Sequence, residues 1–247
     1  DQSTAMPPAL VPSGRLRPPL RLGHRGHRVA GWQQSENTMA AFDRALAAGC
    51  DGLELDLRHS ADGRVVVLHD AELRTGAGAV AVGEATLPSL RRLHPELATL
   101  EQVLRRYRQR AWLDLELKTA AAAPLVVPLL RRWPPQRGFV LSSFELDCLK
   151  QLRELGPDLP LCWNLRRARG LRQLHAAQVG WIAPQQAWCT AWYVRRLKAE
   201  GWKVLVWTVN RPARMRLLAR AGADAIASDN PELLVRTLPD AAVQQTD

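Results

Sequence analysis

Residues 139–184 read FVLSSFELDCLKQLRELGPDLPLCWNLRRARGLRQLHAAQVGWIAP. Three short apolar runs, FVLSSF, LPLCWNL and GWIAP, are separated by ELDCLKQLRELG and RARGLRQLHAAQ, whose length and apolar spacing suit helices. Strand and helix alternate, which calls for βαβ units and a parallel sheet. The rhythm continues toward the C-terminus through TAWYVRRLKAEG, KVLVWTVN, RPARMRLLARAG, DAIASDNP and PELLVRTL. Toward the N-terminus it runs back through AWLDLELK (111–118), DGLELDLRH and LRLGHRG. Parallel strands are expected near positions 20, 52, 111, 139, 159, 181, 203 and 224. Eight such units match an α/β fold of the (β/α)8 TIM-barrel type. The turn SADG (60–63), with VVVLHD after it, adds a hairpin extension to the second strand.

The competing architecture is an open, doubly wound sheet. Polar residues favour the barrel, because they collect at strand C-terminal ends: His24, Glu54, Asp56, Glu116, Lys118, Ser142, Trp207, Asn210 and Asp229. In a barrel those ends meet at one mouth, whereas an open sheet strings them along an edge. Residues 20–238 are the expected barrel domain. Residues 1–19, with five prolines, form an N-terminal tail, and residues 239–247 a C-terminal one. Ser35, Asn37 and Thr38 are candidate caps for the helix TMAAFDRALAAG, and Thr99 caps TLEQVLRRYRQR. Residues 71–98 read as irregular.

Hydrophobic residues make up 47% of the 247, ample for one core of this size. The net charge of +10 could indicate nucleic acid or an anionic membrane. Its arginines, however, are spread over segments such as LRRYRQR (104–110), LRRARGLRQ (165–173) and RPARMRLLARAG (211–222), which read as solvated helix faces. No nucleic-acid partner and no transmembrane segment are therefore expected. Cys50, Cys148, Cys162 and Cys189 form no CxxC pair and read as buried or free thiols. The expected location is cytoplasmic, with periplasmic or other export left open because the chain begins at Asp1.

The chemistry gathers in residues 20–70. Glu54 and Asp56 are two apart on a strand, so both point to one side and can grip one cation. Without a cation or bases, two acids aimed into an interior would repel each other and raise one pKa. Oxygen ligands favour a hard ion, Mg²⁺ or Ca²⁺. A turn at Asp62 would bring His69 beside Glu54. Three acids (Glu54, Asp56, Glu116) for one divalent cation, Arg25 and Lys118 for phosphate oxygens, and His24 and His69 as acid and base make a metal-assisted phosphodiesterase site. His27, His59, His94 and His175 have no metal-like spacing and are expected on the surface or in loops. Trp133, Trp181, Trp188, Trp192 and Trp202 are expected to pack in or beside helices, while Trp163 and Trp207 face ligand.

The ordered set HRG, ENT, ExD, HD, ExK, SSF, WTVN and GADAIASDNP, over roughly residues 20–236, resembles the glycerophosphodiester phosphodiesterase family of the phosphatidylinositol phospholipase C-like barrels. The resemblance implies metal-dependent hydrolysis of small-molecule glycerophosphodiesters to sn-glycerol 3-phosphate and an alcohol. It makes His24 and His69 catalytic, Glu54, Asp56 and Glu116 metal ligands, and Arg25 and Lys118 phosphate contacts. Glu36 and Trp207 would line the site, Trp207 against the glycerol. The alternative activity is lysophospholipase D-like or phospholipase C-like cleavage of a lipid phosphodiester. HRVAGWQQ after the first strand and LRTGAGAV after HD depart from the family pattern; both border the mouth and bear on the leaving alcohol.

Overall fold

All eight expected parallel strands form in the computed structural model, which describes residues 19–31, 36–76 and 78–239. The tails 1–18 and 240–247, and Ser35 as a cap, lie outside the described residues. In chain order, β1 (Leu20–His24), α1 (Met39–Ala47) and β2 (Gly52–His59) open the barrel. The excursion that follows comprises β3 (Val65–Val67), β4 (Glu72–Thr75), β5 (Gly78–Ala81), α2 (Leu87–Leu93) and α3 (Leu100–Tyr107). The regular repeats are β6 (Trp112–Leu117), α4 (Ala123–Arg132), β7 (Phe139–Ser143), α5 (Leu146–Leu155), β8 (Leu161–Leu165) and α6 (Leu171–Ala176). The last are β9 (Trp181–Pro184), α7 (Ala191–Ala199), β10 (Lys203–Val206), α8 (Pro212–Arg220), β11 (Ala225–Ser228) and α9 (Pro231–Thr237).

Closure is explicit in the pairing. β1 pairs in parallel with both β11 and β2, and the remaining parallel strands follow in order around the ring. Side-chain parity then sorts residues between two cores. On β6, Leu113, Leu115 and Leu117 join Leu53, Leu55 and Leu57 of β2 in the large core between strands and helices. Trp112, one step out of phase, points into the lumen with Leu20, Leu22, Val140, Cys162, Trp181 and Leu205. This apolar plug fills the lower barrel, and its upper half is lined by the polar residues of the same parity. Trp181 thus belongs to the lumen, packed on Trp112 at 5.4 Å, and not to a helix surface.

Local signals explain most helix starts. The Thr38 side chain accepts from the Ala41 N–H, and Thr99 forms a reciprocal capping box with Gln102. Four departures from expectation stand out. Residues 71–76 and 78–98 form the β4–β5 hairpin and α2, over a small core of Val66, Val82, Leu87, Leu90 and Leu97. The β2–β3 ladder sets Leu57 opposite Val67 and ends there, so His69 is not a ladder partner of Glu54. His27 is buried at 4% exposure, with Nε2 3.1 Å from Glu232. Finally, the helix expected from residue 167 starts only at Leu171. The Trp188 indole N–H donates to the Arg166 carbonyl and the Tyr193 hydroxyl bonds the Arg169 backbone, which pins residues 166–170 as a loop. All four cysteines are buried free thiols. No helix among the described residues is long and apolar enough to cross a membrane.

Candidate active site

The site begins at the turn after β1. Arg25 and Gly26 both have positive φ (50° and 83°), a reversal that places His24 and Arg25 at the mouth of the barrel. Gly23 permits the reversal: a Cβ there would come within 2.3 Å of the Gly26 carbonyl oxygen and 2.7 Å of Ala45 Cβ. In register, His24 lies beside Glu54, Glu54 beside Asp114, and Asp56 beside Glu116. Lumen-facing parity on two adjacent strands therefore delivers four carboxylates to one place.

Ligand atoms of Glu54, Asp56 and Glu116 all lie within 4.8 Å of one another, and all three residues are buried. Their counter-charges are close. Lys118 Nζ is 2.9 Å from Asp56 Oδ1 and also contacts Glu116; Arg25 Nε is 3.2 Å from Asp56 Oδ2. Asn37 Nδ2 donates to Asp56 at 2.9 Å, and the Arg25 backbone N–H donates to Glu54 at 2.9 Å. Asp114, which the sequence reading did not single out, is held by the Ser142 hydroxyl at 2.6 Å. The two-residue spacing that selected Glu54 and Asp56 applies equally to Asp114 and Glu116 and would have found it.

Four buried carboxylates thus share two nearby cations, and the electrostatics record the shortfall. Burial, with repulsion from Asp56, Glu116 and Asp114, raises the Glu54 pKa well above the ordinary carboxylate range. Burial and Asp56 push Glu116 up to about 7 against the pull of Lys118. Burial carries Asp114 to about 7 despite its hydrogen bond from Ser142. Asp56 alone goes the other way: burial opposes its charge, but Lys118, Arg25 and Asn37 hold it low. A divalent ion matches this hard-oxygen donor set and the unbalanced negative charge.

A cavity of about 330 Å³ opens over the cluster. His24, Arg25, Glu54, His69, Glu116, Lys118 and Trp207 line it, so most of the expected site residues converge. His24 Nδ1 is 2.7 Å from Asp229 and Nε2 is 3.7 Å from Glu54. Burial lowers the His24 pKa more than Asp229 lifts it. His69 comes from the turn beyond β3, where Arg58 bonds its carbonyl at 2.7 Å and Asp70 its Nδ1 at 2.7 Å. Glu36 is not among the cavity's lining residues. It bonds Arg25 Nη1 at 2.7 Å, pairs with Arg28, and so backs the arginine.

Further lining residues, Phe144, Asn164, Arg166 and Gln185, come from the β7, β8 and β9 ends. Phe144 packs edge-on to Trp207 at 5.4 Å. Trp163, expected to face ligand, is buried with its indole N–H on the Phe144 carbonyl.

Comparison with known proteins agrees with this geometry. The model of the glycerophosphoryl diester phosphodiesterase family matches residues 24–233. A glycerophosphodiester phosphodiesterase of Caldanaerobacter subterraneus subsp. tengcongensis is 27% identical over 244 residues, covering 87% of this chain and 96% of that protein. One from Bacillus subtilis is 26% identical over 264 residues, covering 92% and 90%. Among solved structures, an Oleispira antarctica phosphodiesterase in complex with the product sn-glycerol-3-phosphate superposes with a TM-score of 0.78, at 26% identity and 89% and 96% coverage. The glycerophosphodiester phosphodiesterase of Thermotoga maritima gives 0.75 at 28% identity, covering 88% and 97%. With the barrel, the ordered motifs and the family match in agreement, this chain belongs to the glycerophosphoryl diester phosphodiesterase family.

Proposed function

We propose that this protein hydrolyses glycerophosphodiesters, adding water across one phosphorus–oxygen ester bond to release sn-glycerol 3-phosphate and an alcohol. One observation carries the reading: three buried carboxylates within 4.8 Å of one another, two of which, Glu54 and Glu116, line a cavity together with His24, His69, Arg25 and Lys118. Family membership supports it, as does the product bound to the Oleispira relative.

Glu54, Asp56 and Glu116 would hold the divalent cation, Mg²⁺ or Ca²⁺. When bound, such an ion neutralises phosphoryl charge and polarises a phosphoryl oxygen. Arg25 offers its guanidinium and Lys118 its ammonium to the phosphate oxygens. Neutral His24, with Nδ1 held by Asp229, presents Nε2 to the cavity, and His69 lines the same cavity. One takes the proton of the attacking hydroxyl and the other protonates the leaving oxygen. Trp207 supplies an apolar wall for the glycerol, and Glu36 keeps Arg25 extended.

The test is turnover of glycerophosphocholine and lysophosphatidylcholine in EDTA, Mg²⁺ and Ca²⁺. Metal-dependent release of glycerol 3-phosphate from the soluble diester is expected. Cleavage of the lysolipid alone would replace this reading with the lipid phosphodiesterase one, and activity undiminished in EDTA would remove the metal from it.

A further inference from the structure

The arginine-rich segment LRRARG (165–170) is not the solvated helix face its composition suggests. It is a loop at the C-terminal end of β8, on the rim of the catalytic mouth. A second cavity of about 350 Å³ lies there, lined by Phe144, Trp163, Asn164, Leu165, Arg166, Arg167 and Arg169. It shares Phe144, Asn164 and Arg166 with the catalytic cavity, so the two are contiguous.

Its charge is one-sided. The lining includes three guanidinium groups and no carboxylate. Among the described residues none of the three arginines has a carboxylate within ion-pair distance. Arg25 and Arg28, at the opposite side of the mouth, are both paired to acids. Two of the three are also held by aromatic rings: Arg166 is stacked 3.9 Å from the Phe144 ring centre, and Arg169 lies 5.7 Å from that of Trp163. Stacking on a ring occupies a face of the guanidinium and leaves its N–H edge free to bond two oxygens of a carboxylate or phosphate. The loop backbone is fixed by Trp188 and Tyr193, so the positive charge is pre-positioned.

We propose that this cavity is a subsite for the leaving alcohol and selects alcohols that carry an anionic group, best a phosphorylated polyol, over cationic ones such as choline. The proposal rests on the phosphodiesterase reading above, since it names the substrate class of that same site. Phe144, packed edge-on to Trp207, links the two cavities: Lys118 Nζ lies 5.9 Å from its ring centre and Arg166 Cζ 3.9 Å.

The experiment compares kcat/KM, at low and moderate ionic strength, for three diesters differing in leaving-group charge: glycerophosphoinositol 4-phosphate, glycerophosphoglycerol and glycerophosphocholine. At low salt the first is expected to exceed the last by about tenfold or more, with glycerophosphoglycerol between them, and the ratio shrinks as salt screens the exposed guanidinium groups. In a double variant, Arg166→Gln with Arg167→Gln, the ratio should collapse to within about threefold; the circular dichroism spectrum and melting temperature of that variant report that it is folded. Equal rates across the three substrates in the wild type, or a ratio that the substitutions or salt leave unaltered, would overturn the proposal while leaving the phosphodiesterase reading intact. Failure to hydrolyse any of the three would overturn that reading and this one with it.

Discussion

His24 Nδ1 lies 2.7 Å from Asp229 Oδ1, although the two residues are 205 positions apart in the chain. Parallel pairing of β1 with β11 closes the barrel and brings them together. Burial opposes ionisation of Asp229, but the hydrogen bond and charge of His24, with Asn210 and Arg28, hold it down at about 2. An ionised Asp229 accepts from Nδ1–H and fixes the tautomer that leaves Nε2 free toward the cavity. Asp229→Asn should therefore lower kcat by about 100-fold or more, with a smaller change in KM, since the amide can instead donate to Nδ1 and reverse the tautomer. Steady-state kinetics at saturating metal checks it; a variant with native kcat would remove Asp229 from the mechanism.

The two histidines should separate catalysis from metal binding. On the acid and base roles proposed above for them, His24→Ala and His69→Ala should each lower turnover by about two to four orders of magnitude. Neither is one of the three clustered carboxylates, so calorimetric affinity for Ca²⁺ should stay within a few-fold of the wild type. Strong loss of metal affinity in either variant would make that histidine a ligand.

Gly23 offers a test of how the turn sets the site. Its added Cβ would meet the Gly26 carbonyl and Ala45, both in packed backbone or helix. Gly23→Ala should cost about 1–3 kcal/mol of stability, the range for overpacking a filled interior. It should also lower activity beyond that loss, because the same turn carries His24 and Arg25. Denaturant unfolding and kinetics on the same sample check both parts. Gly180, which has open space around its Cβ position and, like Gly23, no positive φ, is the control for the substitution without crowding.

Strand order and most of the site were legible because two simple periodicities carry them. Alternating LELDL and WLDLEL set Glu54, Asp56 and Glu116 on one face, and eight βα repeats close that face into a lumen. What stayed hidden was either non-local or irregular. His69 depended on a turn whose register differs by one residue, closed by the Ser60 N–H on the Arg64 carbonyl. Strands β4 and β5 have four residues each and no buried side chain, too short for a period to emerge. The 166–170 loop carries helix-forming arginines and alanine; side-chain bonds from Trp188 and Tyr193 override that propensity.

The carboxylate cluster makes stability depend on pH and metal together. Glu116 and Asp114 have ordinary values of 4.5 and 3.8, and each is raised to about 7 in the folded chain. A carboxyl with a raised folded pKa favours the folded state while protonated, so that contribution is complete below about pH 4 and is lost as pH rises through about 7. Asp56, held low, is ionised across this window. Without metal, stability should therefore fall between pH 5 and pH 8, by on the order of 5 kcal/mol from these two groups together if other groups are unchanged. A divalent cation replaces the protons, so its stabilising effect should be larger at pH 8 than at pH 5, with proton release on binding. Thermal melts with EDTA or Ca²⁺ at the two pH values measure this. Equal shifts at both would mean that the carboxylates are already ionised without metal. In Glu116→Gln the remaining acids lose one repelling neighbour, so the metal-free protein should be more stable at pH 8 than the wild type while its response to Ca²⁺ diminishes.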